Sequence, residues 1–231
     1  IKKKMPEWKK KIGLKTHFPN DKNLPLKVKY PSKYNMTHTL KLGKKFSNRY
    51  VYYYSANKKS IKDCLQPKFV VDAYSKNFNN MGVAKTNNDG IVKIKLDCPQ
   101  SYYVNLNKLH TSHVHYFISD KNNKEWEEKL YTDIIICDLN KNELKNIIKN
   151  QCAVIINALP YEYYIKSHIP NSISIPYDIV VKNKITETEF KNYLTKMLVH
   201  YPRIYDLVKS KKLKLENVPI VSYCYKKQCD A

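Results

Sequence analysis

Two short segments hold residues whose types and spacing suit chemistry. The first centres on Cys224, which follows Pro219-Ile220-Val221-Ser222-Tyr223 and precedes Tyr225-Lys226-Lys227-Gln228-Cys229. A cysteine at the carboxyl end of a buried strand sits where open α/β sheets bind ligands. A loop curling there aims successive backbone N–H groups at one point, a nest that holds a thiolate or an attached sulfur. Lys226 and Lys227 add positive potential, which favours the ionised, nucleophilic thiolate. Cys229 reads either as a resolving thiol for Cys224 or as a loop residue. The competing reading of Cys224 is an inert cysteine kept for packing. The second segment is His113-Val114-His115, with His110 just upstream. Strand periodicity puts both imidazoles on one face, two residues apart. Such a pair can ligate one metal with further ligands from neighbouring strands, or simply form a polar strand face.

The elements that must position these residues change rhythm along the chain. Residues 47–131 read as β-rich. Tyr50, Val51, Tyr52, Tyr53 and Tyr54 favour a strand. Residues 82–86 and 91–96 flank Asn87-Asn88-Asp89-Gly90, a hairpin signal. Val92, Ile94 and Leu96 share one face, with Lys93 and Lys95 on the other. A further strand is expected over residues 113–119, and several short strands with turn signals suggest an antiparallel β-sandwich. Residues 132–231 alternate strands and helices, which argues for a parallel α/β sheet. Strands are expected at 134–137, 153–156, 172–175 and 219–223. Asn140-x-x-Glu143 and Thr186-x-x-Glu189 are helix-capping patterns, and a short helix is expected at 161–166. The expected organisation is therefore a multi-domain α and β chain, with an arm over 1–46, a sandwich over 47–131 and an α/β domain over 132–231.

Residues 154–176, running Val-Ile-Ile-Asn-Ala-Leu-Pro-Tyr-Glu-Tyr-Tyr-Ile-Lys-Ser-His-Ile-Pro-Asn-Ser-Ile-Ser-Ile-Pro, resemble the pattern of the rhodanese-like family. Asp138 to Leu144 is similar to that family's opening strand and helix, and the Tyr223-Cys224 loop falls in the matching order. The resemblance covers about residues 132–231 and implies a central parallel sheet with Cys224 as the sulfur-accepting nucleophile. Tyr225, Lys226, Lys227, Gln228 and Cys229 would form its cradle, of sulfurtransferase rather than phosphatase length. It implies thiosulfate sulfurtransferase-like chemistry that requires no cofactor. The sequence departs from the family pattern in several places. Asn157-Ala158-Leu159 stands for Asp-Val-Arg, Ser167 and Asn171 stand for glycines, and the loop has neither glycine nor a closing arginine. His168 is expected to fix the turn before Ile169-Pro170. Residues 70–118 resemble the core of intradiol ring-cleavage dioxygenases, a β-sandwich whose ferric iron is held by two tyrosines and two histidines. By that resemblance Tyr102, His113 and His115 fall on ligand positions, Tyr74 is a looser candidate for the fourth, and iron is the implied metal.

Composition bounds what remains. The chain has 231 residues, 42 basic against 20 acidic, and a formal net charge of +22. Only Arg49 and Arg203 are arginine, and Tyr and Asn abound, a bias that reads as an AT-rich genome such as that of a protist or a large DNA virus. No apolar run approaches a membrane span. Ile1 rather than Met stands first, so the start of the gene product is expected to be missing. No secretory signal is visible. The six cysteines show no zinc-ligand spacing, and reduced thiols in a cytosol-like compartment are expected. Residues 1–46 carry 14 lysines against Glu7 and Asp21. They read as an extended basic arm, either solvated or docked on an acidic protein surface or assembly, with non-specific nucleic-acid attraction also open. A second function class follows: a catalytically inactive structural protein of a larger assembly, for example a virion component of a large DNA virus, anchored by that arm. The expected location is cytoplasmic, or within the particle if viral.

Overall fold

A computed structural model of the chain describes residues 26–74, 79–105, 108–182 and 185–225. Two compact units emerge. One comprises Ile1–Lys59 and Pro67–Asp138, and the other Ser60–Gln66 and Leu139–Ala231. No helix among the described residues is long and apolar enough to cross a membrane.

The first unit is built on antiparallel sheets. Its strands are β1 (Met36–Lys41), β2 (Tyr50–Ser55), β3 (Lys68–Phe69), β4 (Met81–Lys85), β5 (Ile91–Leu96), β6 (Tyr102–Asn105), β7 (Lys108–His110), β8 (His113–Ile118) and β9 (Tyr131–Ile134). A four-stranded sheet runs β4-β2-β8-β9, β1 pairs with β5, and β6 joins β7 antiparallel and the two-residue β3 parallel. A one-turn helix, α1 (Val70–Ala73), follows β3. The two-residue period of β2 splits its side chains between two cores. Val51 and Tyr53 pack with Leu40, Val92, Ile94, Val114 and Ile118. Tyr52 and Tyr54 pack with Tyr74, Tyr102 and Phe117. β8 obeys the same rule: Val114, Tyr116 and Ile118 face the first cluster, so His113 and His115 fall on the second side with Phe117.

Three expectations are corrected here. The turn at residues 87–90 forms, with Asn87 Oδ1 accepting from the amides of Asp89 (3.0 Å) and Ile91 (2.8 Å). Yet its arms do not form a hairpin ladder, because β4 joins β2 while β5 joins β1. Both arms contribute to one cluster, Ala84 from β4 and Val92, Ile94 and Leu96 from β5, but they do so from two separate sheets. The run 134–137 does not open the parallel sheet. Ile134 pairs antiparallel with His113, and Ile134 and Ile136 are exposed around buried Ile135. That alternation marks a half-buried edge strand, not a strand covered on both faces. The basic arm is not extended chain throughout. Residues 1–25 lie outside the described residues, while Met36–Lys41 is a strand whose Leu40 is 2% exposed. Met36, His38 and Leu40 alternate with exposed Thr37, Thr39 and Lys41, a two-residue period.

The second unit holds a three-stranded parallel sheet, β11-β10-β12, made of β10 (Val154–Asn157), β11 (Ile173–Ser174) and β12 (Ile220–Tyr223). Its helices are α2 (Lys141–Asn150), α3 (Tyr161–Lys166), α4 (Tyr177–Val181), α5 (Glu187–Met197) and α6 (Pro202–Lys209). Both expected capping boxes form, Asn140 with Glu143 and Thr186 with Glu189. The core joins Val154, Ile156, Ile173, Leu194, Leu198, Tyr201 and Ile204 with Leu65 from the distant segment Ser60–Gln66. That segment is fastened by a Cys64–Cys152 disulfide. Cys98 and Cys137 form another in the first unit. The expectation of reduced thiols is thus overturned. Partners 88 and 39 positions apart are brought to Cα separations of 5.5 and 5.8 Å by folding, which local spacing does not reveal.

Candidate functional site

In the second unit Cys224 directly follows β12, which is not the buried strand expected: its residues alternate between exposed and half-buried, with Ile220 45% exposed. Since β10, β11 and β12 are parallel, their carboxyl ends, and the loops leaving them, lie at one end of the sheet. Ala158 N donates to Tyr223 O at 3.0 Å, and Tyr177 N donates to Ala158 O at 2.9 Å, which links the three strand ends. The Tyr223 hydroxyl accepts from Asn157 Nδ2 (2.9 Å) and from Ile169 N (3.0 Å), and meets Ser172 Oγ at 3.0 Å. Two acceptor sites and one donor are all a phenol has, so this hydroxyl is fully engaged. Cys224 is disulfide-bonded, not a free thiol. Tyr225 is 85% exposed. Lys226, Lys227, Gln228 and Cys229 lie outside the described residues.

The turn beside this strand end accounts for departures that the sequence displayed. Asn171 has φ 64°, the left-handed region in which asparagine is among the few tolerated side chains, so it replaces a glycine there. Ser167 is in extended backbone, φ −166°, where no glycine is needed. Asn157 is fully buried, and its Oδ1 accepts from Leu159 N at 2.8 Å, the local bond an aspartate would make. His168 donates from Nδ1 to Tyr164 O at 2.9 Å and stacks on that ring, the turn-fixing role expected of it. Tyrosine hydroxyls pin the same turn: Tyr164 donates to Ser172 O at 2.7 Å, and Tyr201 donates to Asn171 O.

In the first unit, Tyr74, Tyr102, His113 and His115 are brought together. The Tyr74 and Tyr102 hydroxyls are 3.2 Å apart. Tyr102 Oη lies 2.9 Å from His113 Nε2, which lies 3.1 Å from His115 Nε2. Tyr74, Tyr102 and His113 are buried to 5% exposure or less. Each ring is held from its far side: His113 Nδ1 meets Thr111 O at 2.6 Å, and His115 Nδ1 meets Thr132 Oγ1 at 2.8 Å. Burial lowers the pKa of both imidazoles, that of His115 to about 3, with the neighbouring imidazoles adding to the effect, so both rings are neutral at pH 7. Burial likewise raises both phenols, Tyr74 well above the ordinary value. His110 packs against Tyr102 and His113. Among the described residues no group of three or more His, Cys, Asp or Glu side chains is placed to hold a metal. Four donors are reached here only by counting the two tyrosines. Thr111 and Thr132 escaped the sequence reading. The strand register opposing His115 to Thr132 is the signal that could have found the latter.

Residues 140–231 match the family model of the rhodanese-like domain, so that part of the chain is rhodanese-like. The chain gives no match among curated proteins.

Proposed function

We propose that the rhodanese-like domain carries sulfane sulfur on Cys224. The observation behind this reading is the position of Cys224, one residue beyond β12 and level with the carboxyl ends of β10 and β11, inside the matched segment. The cycle begins from the disulfide. A dithiol reductant opens it, becoming oxidised as two protein thiols form. The Cys224 thiolate then attacks the outer sulfur of a donor such as thiosulfate. That S–S bond breaks, sulfite leaves with the electron pair, and a persulfide remains. A nucleophilic acceptor, cyanide in the assay, takes the outer sulfur as thiocyanate and regenerates the thiolate. In this reading Tyr225, Lys226, Lys227, Gln228 and Cys229 form the anion cradle, with the two lysines favouring the thiolate. Protein reduced with a dithiol and desalted should turn thiosulfate and cyanide into thiocyanate, and Cys224→Ala should abolish this. Turnover that survives the substitution refutes the reading. No turnover in the reduced parent leaves the scaffold reading, with the basic N-terminal residues docking on an acidic assembly.

A second reading belongs to the first unit, and the meeting of four donor atoms favours it. The covering of both faces of β2 supports a sandwich-like body around them. Donors about 2.1 Å from one ion at angles of 90–110° lie about 3.0–3.4 Å from each other, close to the 2.9, 3.1 and 3.2 Å separations seen. Three successive separations of that size are compatible with one ion, which Tyr74, Tyr102, His113 and His115 would hold. Phenol oxygens and neutral imidazoles suit iron, which when bound supplies a Lewis acid and a redox centre. The chain's own contribution is a buried pocket with imidazoles already neutral and oriented. Ring cleavage is not inferred, since fold likeness carries no activity. Iron retained through gel filtration in the parent and lost in His113→Ala/His115→Ala supports this reading, and no retention in either refutes it.

A further inference from the structure

The hydrogen bonds around the two imidazoles determine where their protons sit. Thr111 O is a carbonyl and can only accept, so His113 Nδ1 carries hydrogen and donates across the 2.6 Å contact. His113 Nε2 of the neutral ring is then a bare acceptor with a single in-plane lone pair. Two groups approach it, the Tyr102 hydroxyl at 2.9 Å and His115 Nε2 at 3.1 Å. One lone pair serves one hydrogen, and the donor assigned to it is the Tyr102 hydroxyl, which can itself accept from Tyr74 at 3.2 Å. His115 Nε2 therefore faces His113 Nε2 without a proton, and the His115 hydrogen must sit on Nδ1. There it meets Thr132 Oγ1 at 2.8 Å. The two residues are directly opposed on adjacent antiparallel strands, β8 and β9.

We infer that Thr132 is the positioning residue of this cluster: its hydroxyl accepts the Nδ1 hydrogen of His115 and so keeps the Nε2 lone pair aimed toward His113 Nε2. Two bare nitrogens 3.1 Å apart repel unless a cation lies between them. A threonine that locks one of them in that state is spent on binding an electrophile, not on packing. A hydrogen-bonded acceptor behind a ligating imidazole also raises its basicity, and loss of such partners lowers metal affinity about 10–100-fold. The inference rests on the metal reading of the same four residues, but its tautomer statement can be read without metal.

The test uses the full chain, its Thr132→Val and Thr132→Ser variants, and ferric nitrilotriacetate as probe. Valine keeps the shape and suits an exposed strand position, while serine keeps the hydroxyl. Imidazole 15N spectra of metal-free protein should show His115 protonated at Nδ1 in the parent and in Thr132→Ser, and mixed tautomers in Thr132→Val. Ferric affinity, followed by the phenolate charge-transfer band, should fall about 10–100-fold in Thr132→Val and recover in Thr132→Ser. An Nε2-protonated His115 in the parent, or unchanged tautomer and affinity in Thr132→Val, overturns the inference. Parent protein that takes up no ferric ion while His115 is Nδ1-protonated overturns the metal reading alone and leaves the tautomer assignment standing.

Discussion

Removing the Cys64–Cys152 disulfide should loosen the rhodanese-like unit selectively. The bridge closes 88 residues of chain. In the chain-entropy account, that closure removes about 15 cal/mol/K from the unfolded state, worth about 4.5 kcal/mol at 25 °C. What the bridge retains in the folded state is Leu65, 2% exposed among Val154, Leu194, Leu198 and Ile204. Burying one leucine contributes about 1.5–3 kcal/mol, against about 1–2 kcal/mol for ordering each backbone residue of the segment. The segment Ser60–Gln66 therefore should not stay docked without its bond. Arg203, whose guanidinium lies 3.8 Å from Cys64 Sγ and 2.7 Å from Asn150 O, adds too little to change that balance. Hydrogen exchange on a Cys64→Ser/Cys152→Ala variant is the assay. Protection of β10, α5 and α6 amides should fall by about three powers of ten, at about 1.4 kcal/mol per decade. Strand amides of β2 and β8, whose cores lack Leu65, should keep theirs. Unchanged protection in α5 and α6 would refute the reasoning, because Leu65 would then hold the segment unaided.

Acid should weaken the first unit well above the carboxylate range. His115 is neutral when folded down to about pH 3, while an unfolded histidine takes a proton near 6.5. Between those values the unfolded state binds more protons, so stability is complete above 6.5 and is lost as pH falls. The loss from His115 between pH 7 and 5 is about 2 kcal/mol, and a urea midpoint that does not move between those pH values contradicts it. Gly82→Ala should destabilise the first unit by more than 2 kcal/mol, as an overpacked core does. A Cβ there would lie 2.4 Å from Tyr53 Oη and 2.6 Å from Lys29 O, and unfolding with parental midpoint would refute the close approach. Asn171→Gly should be neutral within about 1 kcal/mol, whereas Asn171→Ala should cost about 1–2 kcal/mol for its left-handed backbone. Equal urea midpoints for the two variants would contradict the φ of 64°.

Local signals were legible wherever local physics decides. The two capping boxes, the helix at Tyr161–Lys166, the strand leading to Cys224 and the strand alternation of Val92, Ile94 and Leu96 all follow from spacing alone. The likeness to rhodanese-like domains, read over about residues 132–231, rested on such local pattern, and the family match covers residues 140–231 of that span. What spacing could not reveal is long-range. The seven residues Ser60–Gln66 belong to the second unit because of one leucine and one cysteine, neither unusual in its neighbourhood. The destination of β9 turned on whether Ile134 and Ile136 face water or protein, which a short apolar run does not encode. The arms of the 87–90 turn separate into two sheets that share one cluster, Ala84 from one arm and Val92, Ile94 and Leu96 from the other. At the candidate sites, residue types were legible and states were not. The histidine pair and both tyrosines were visible, but the tautomers depend on Thr111 and Thr132, and Cys224 is disulfide-bonded where a reduced thiol was expected.

The account turns on sulfur reaching position 224. Intact-protein and peptide mass spectrometry of dithiol-reduced, desalted chain after exposure to thiosulfate measures this without an acceptor. The account predicts one added sulfur atom, located on the peptide bearing Cys224 and removed by cyanide. A mass unchanged by thiosulfate, or sulfur distributed over Cys64, Cys98, Cys137 and Cys152 as readily as over Cys224, contradicts it.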